Sequence, residues 1–340
     1  MRRGRAAYLC YFLSNVPKVL GYRLFRLPPS TKSFRGFPLS IATTSAALTQ
    51  AIENDAPFAA IRFGAVELSC LNNHEKIELG FKKTYKEPVR YSIKNNAGYF
   101  PTDDVSLKRY GDELLALLPE TDYLGISGAH MENYFARFYC PSASYLLYEG
   151  MEPLHGTWTK ALKGKKVLVI TAFKEDVEKQ YPRRKELFPN DPDILPEMEL
   201  KVLQAPVTFA ENTPTSPSFF DELARIEAEM DQIDYDVLLV GAGAYGSFLA
   251  LHAKSKGKKG VARRFSVRSV APSKGRPDCP RSRVLFVVRS SQAESTRGKR
   301  DPSRAPKSKG KGRSVLSWLH NERGIGRFSC QGRDMRLPRR

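Results

Sequence analysis

From residue 40 to residue 257 the chain alternates between two hydrophobic rhythms. Short apolar runs rich in β-branched residues predict strands over 58–63, 123–127, 145–148, 166–171, 200–209 and 236–240. Between them, apolar positions three and four apart predict helices over 45–53, 66–77, 105–118, 131–139, 157–162, 174–181, 217–233 and 247–256. The clearest stripe is Phe219, Leu223, Ile226, Met230 and Ile233, which reads as a core-facing surface. Ser216 followed by Pro217 supplies its predicted start, because proline at the first helical position loses no hydrogen bond. Strands alternating with helices predict an α/β fold: a Rossmann-like, mostly parallel sheet with helices on both faces.

Two stretches fall outside this rhythm. Residues 1–39 begin with a basic cluster and a short apolar run from Ala6 to Leu13, too short to span a bilayer and without a signal-peptide cleavage pattern. They predict a basic, amphipathic helix that either covers the domain or rests on an anionic membrane surface. From 260 to 340 periodicity fades and Arg, Ser, Pro and Lys dominate, which predicts a disordered basic tail. The boundaries are therefore 1–39, 40–259 and 260–340.

Charge sharpens that division. The net charge of +19 would ordinarily suggest a polyanion as partner. Residues 1–260 hold 33 Lys+Arg against 31 Asp+Glu, however, and residues 261–340 hold 22 against 5. The folded part is almost neutral, so the basic balance says little about its ligand, and nucleic acid is not its expected partner. The five cysteines are widely spaced with no CxxC pair, which suits reduced thiols in the cytoplasm. The five histidines show no metal spacing along the chain, and no serine nucleophile elbow is present.

Three segments can carry chemistry. In FAAIRFGAVEL a strand breaks at Gly64 and enters a helix with Glu67 in its first turn. Arg62 can pair with a phosphate, Gly64 lets a ligand approach backbone, and Glu67 can accept a proton or hold a metal. The plainer reading has Glu67 complementing the helix dipole and pairing with Arg62. In DVLLVGAGAYG a buried strand feeds a GxGxxG turn, Gly241, Gly243 and Gly246, with Tyr245 inside it; its amides suit a diphosphate, and tight helix-on-strand packing is the alternative. No acidic residue follows about twenty positions on, which weakens a dinucleotide reading. In TWTKALKGKKVLVI, Lys160 is the lysine that a solvated turn explains least well.

Taken in order, PFAAIRFGAVEL, NNAGYFP, the TWTKALKGKKVLVI stretch with EKQY behind it, and DYDVLLVGAGAYGSFLALHAKSKGKK resemble bacterial glycosyltransferases of the D fold type and their relatives, over roughly residues 40–259. The resemblance implies transfer of a sugar from a nucleotide-sugar donor to an acceptor, with a divalent metal (Mn or Mg) held by a DxE motif; the cysteine usage and the N-terminal segment place it in the cytoplasm or on the inner membrane face. Ala65 stands where that motif places its Asp, leaving Glu67 as its one carboxylate. Glu67 would then be the catalytic base or a lone metal ligand. Arg62, Gly64, Lys160 and the turn of Gly241, Gly243, Tyr245 and Gly246 would contact the donor.

Relatives continue past the GKK stretch with a further strand, so the change of composition after Lys259 reads as a frame error or truncation that removes it. The competing functions are a nucleotide-dependent oxidoreductase built on GAGAYG and a non-catalytic protein binding polyanions through its tail.

Overall fold

The computed structural model describes residues 3–25, 31, 34, 39–153, 155–208, 214 and 216–263. The tail readings, beyond Arg263, lie outside the described residues.

The helices are α1 (Arg5–Phe25), α2 (Ile41–Glu53), α3 (Ala65–Glu78), α4 (Glu87–Ala97), α5 (Asp104–Leu117), α6 (Glu132–Tyr139), α7 (Lys174–Gln180), α8 (Arg184–Leu187), α9 (Phe219–Asp231) and α10 (Tyr245–Ser255). The strands are β1 (Phe58–Arg62), β2 (Tyr123–Ile126), β3 (Ser144–Leu147), β4 (Lys166–Thr171), β5 (Glu199–Gln204), β6 (Val237–Gly241) and β7 (Lys259–Ala262). They form one seven-stranded sheet in the order β3-β2-β1-β7-β6-β4-β5. Every neighbouring pair is parallel.

Two cores follow from the period of two along the strands. In β6, Leu238 and Val240 face one core while Val237 and Leu239 face the other. The first core takes side chains from α3, α5, α6, α9 and α10; the second takes them from α2, α7, α8 and the short 3₁₀ segment Trp158–Leu162. Connections stepping toward β3 place their helices on the first face, and those stepping toward β5 place theirs on the second. That is the arrangement right-handed crossovers require.

Three features depart from the sequence reading. Helix α4 was not anticipated, because its buried positions are few, Ser92, Ile93 and Ala97. Helix α9 starts at Phe219 with Ser218 as its N-cap, the Ser218 hydroxyl accepting from the Asp221 amide, so Ser216 and Pro217 precede it.

The third departure concerns the boundary at 259. A strand is present there and is central: β7 pairs β1 on one side and β6 on the other. Lys259 is buried at its start and donates to the Ile52 carbonyl at 3.0 Å. Gly260, which reads as a strand breaker, is required by packing, since a Cβ there would collide with the Ala250 backbone of α10. The sheet is therefore closed across its middle before the basic sequence begins.

Candidate functional site

In parallel α/β sheets, ligands collect at the carboxyl ends of the strands, where backbone amides at helix starts face outward. At that edge, Arg62, Gly64, Glu67, Gly243, Gly246 and Arg263 line one cleft. It lies over the ends of β1, β7 and β6. Two glycine-marked segments nearly 180 residues apart in sequence thus meet because β7 alone separates their strands.

The first turn is open. Gly64 is the N-cap of α3 with extended backbone (φ −69°) and no side-chain cap. The Leu68 amide donates to the Gly64 carbonyl at 2.8 Å, and among the described residues no acceptor meets the amides of Ala65, Val66 or Glu67. The Glu67 side chain folds back over Gly64, so a Cβ at position 64 would collide with its carboxylate. Beneath it lies the buried Tyr110 hydroxyl, which has no hydrogen-bond partner among the described residues. Burial first, and the Glu67 charge second, hold that phenol well above its ordinary pKa.

Arg62 does not pair with Glu67. It lies at the end of β1 on the other face of the sheet, with its guanidinium 5.4 Å from the centre of the Tyr148 ring. Alternation along β1 explains this: Ile61 and Phe63 enter the first core, so Arg62 points oppositely. The cleft therefore has a cation on one wall and a carboxylate on the other.

Arg263 is the cleft residue that sequence reasoning missed. It is 5% exposed and continues β7, its amide donating to the Val240 carbonyl at 2.9 Å. Burial lowers its pKa to about 10, with the charge of Glu152 working in the opposite direction, so it is cationic at neutral pH. It had been absorbed into the basic composition that follows, and only the central position of β7 separates it from that stretch.

The second turn is packed against the end of α4. Gly243 has φ +55°, and a Cβ there would collide with the Ala97 carbonyl. The Ala244 amide donates to that same carbonyl at 2.9 Å, the Tyr245 amide to Ala242 at 3.2 Å and the Gly246 amide to Gly243 at 3.1 Å. These donors, expected to hold a diphosphate, are already engaged. Gly246 has room for a side chain, its nearest neighbour in that direction being Ala262 Cβ at 3.8 Å.

The NNAGYFP segment acts as a fastening for this turn. Gly98, left-handed at φ 78°, ends α4. Its carbonyl accepts from the Thr208 hydroxyl at 2.7 Å, and that of Phe100 accepts from the Phe219 amide at 2.7 Å.

Three predicted contact residues lie elsewhere. Tyr245 is buried and stacks on Phe219, ring centres 4.2 Å apart, because the first position of α10 faces the core. Gly241 ends β6 in register with Thr171. Lys160 is exposed on the 3₁₀ segment of the second face and does not line the cleft. The EKQY segment is likewise structural: the Tyr181 hydroxyl donates to the Met198 carbonyl at 2.9 Å.

Glu67 is the cleft's one motif carboxylate, and Ala65 beside it is exposed. Among the described residues, tertiary structure does assemble one three-ligand group that spacing concealed, His74 and Glu78 of α3 with Asp112 of α5, their ligating atoms within 4.8 Å of one another. The Lys108 ammonium lies 2.9 Å from carboxylate oxygens of both acids and offsets part of their charge. A larger depression beside edge strand β5, between Glu178, Tyr181 and Lys201, contains neither Glu67 nor either glycine turn.

No family model matches the chain, and no curated protein matches it in sequence. Two solved structures are similar to it in fold search, each at 12% identity, covering 64% of this chain and 80% of the other, with a TM-score of 0.32. One is described as the highly conserved domain of unknown function 1792, which has a distinct glycosyltransferase fold. The other is a selenomethionine-substituted structure of domain of unknown function 1792. The Rossmann-like α/β architecture of this chain rests on its own all-parallel sheet.

Proposed function

We propose that the cleft at the ends of β1, β7 and β6 binds the diphosphate of a nucleotide sugar and transfers its sugar to an acceptor hydroxyl. The observation that supports this reading is the meeting of Arg62, Arg263 and Glu67 around one opening. The segment whose resemblance suggests sugar transfer, RFGAVEL, supplies two of the three.

In the proposed reaction the acceptor oxygen forms a bond to the anomeric carbon as the bond from that carbon to the diphosphate oxygen breaks. The electron pair leaves with the diphosphate, whose added charge Arg62 and Arg263 offset. The acceptor proton passes to Glu67, which Gly64 allows to fold over the start of α3. No step is assigned to a metal, because the cleft offers a single motif carboxylate. The 241–246 turn shapes the cleft floor, its Ala244, Tyr245 and Gly246 amides being engaged within the protein.

The test is calorimetry of the full chain with a panel of nucleoside diphosphates, followed by donor-turnover assays with and without Mn²⁺. Binding that Arg62→Ala weakens, together with turnover that Glu67→Gln abolishes while binding persists, is the expected result. Absence of both binding and turnover across the panel sinks the proposal.

A further inference from the structure

Helix α1 has two apolar faces, and among the described residues it packs one of them on its own domain. The inner face is well fastened. Tyr8 packs edge-on against Tyr134 with ring centres 5.4 Å apart, and Tyr11 meets Phe138 at 5.7 Å. Arg3 grips the buried Glu75 carboxylate through Nε at 2.9 Å and Nη2 at 2.8 Å.

The outer face is Leu9, Leu13, Leu20 and Leu24, which are 44%, 64%, 48% and 69% exposed, with Phe25 beyond them at 72%. At about 100° per residue the four leucines fall within an arc of roughly 60°, and exposed Pro17 extends it to about 80°. Soluble surfaces seldom leave such a contiguous apolar stripe in water.

Charge identifies the occupant. Residues 1–52 contain eight Lys+Arg and no Asp or Glu. A second copy docking through this face would bring two basic segments that carry no Asp or Glu of their own together. A surface that is apolar within and anionic at its rim satisfies both features. We infer that α1 lies in the plane of an anionic lipid bilayer, its leucine face at the acyl boundary and its domain face on α3 and α6. No helix among the described residues is long and apolar enough to cross a membrane, which accords with in-plane docking.

The experiment is flotation of the full chain with vesicles of phosphatidylcholine containing 30% phosphatidylglycerol. Purely electrostatic binding by the tail is separated by working at 0.5 M NaCl, where its attraction is screened, and by substitutions that keep charge constant. At 0.5 M NaCl, Leu13→Ser/Leu20→Ser/Leu24→Ser should lower the partition coefficient at least about a hundredfold, and at 0.1 M NaCl pure phosphatidylcholine should lower that of the original protein at least about tenfold. In a second variant, Leu13→Trp should bind like the original and be quenched by brominated acyl chains.

Equal partitioning of the original and the triple-serine protein overturns the inference, as does bound Leu13→Trp protein that brominated lipid leaves unquenched. Conversion of a dimer to a monomer by the triple substitution, with vesicle binding unchanged, overturns it in favour of self-association.

Discussion

The two glycine-marked turns, β1 to α3 and β6 to α10, look alike in sequence and do opposite work. At the first, Gly64 makes room for a side chain, the Glu67 carboxylate. At the second, Gly243 makes room for backbone, the Ala97 carbonyl, at a positive φ. A glycine beside a movable side chain can serve chemistry. One pressed against another segment's backbone is committed to packing. The sequence-conspicuous GxGxxG turn therefore lines the cleft with Gly243 held against α4, and the plainer RFG turn lines it with the amides of Ala65, Val66 and Glu67 open among the described residues.

Substitutions can break this comparison. The largest effect expected is on turnover: Glu67→Gln should reduce it by about a hundredfold to ten-thousandfold while leaving nucleotide affinity within about threefold, read by steady-state kinetics beside calorimetry. Next is Gly243→Ala, which should cost about 2–4 kcal/mol in denaturant unfolding, combining left-handed strain with the backbone collision. Arg62→Ala should raise the Kd for a nucleoside diphosphate by about ten- to a hundredfold, the worth of hydrogen bonds to a charged group.

Gly64→Ala is the sharpest counterpart to Gly243→Ala. Its φ suits alanine, so stability should fall by only about 0.5–1 kcal/mol, yet turnover should drop because the Glu67 carboxylate is displaced. If the two alanine variants lose stability equally, the distinction between the turns is wrong.

An effect of another kind, away from both turns, concerns acid. Glu75 of α3 is fully buried; burial opposes its charge, but Arg3 and the hydroxyls of Tyr134 and Tyr139, at 2.5 and 2.6 Å, outweigh it and hold its carboxyl below the usual range. A depressed folded pKa gives stability that is present above the ordinary carboxyl pKa and lost as pH falls through the folded one. Below about pH 4.5, amides of α3 should therefore exchange hydrogen sooner than those of β6, and Arg3→Ala should lessen that pH dependence while costing about 1.5–3 kcal/mol at neutral pH.

Legibility followed the range of the interactions. The runs at 166–171 and 236–240 announced β4 and β6 because strands buried on both faces are continuously apolar. Strand β7 was hidden, since Gly260 and two lysines mask a four-residue strand whose burial is imposed by its neighbours. The site divided in the same way. Arg62, Gly64 and Glu67 were visible because strand, turn and helix start are contiguous, whereas Arg263 had no local sign and Tyr245 and Lys160 carried a misleading one.

By itself, then, the sequence determined the α/β alternation, the parallel sheet, the near-neutral domain and the RFGAVEL turn, all of which depend on residues within a few positions of one another. Tertiary structure alone decided that β7 closes the sheet between β1 and β6, that Arg263 joins the cleft, and that Ala97 seals the second turn. Those depend on which backbone lies within 3 Å of which. Contacts between segments more than a hundred residues apart leave no periodic trace along the chain.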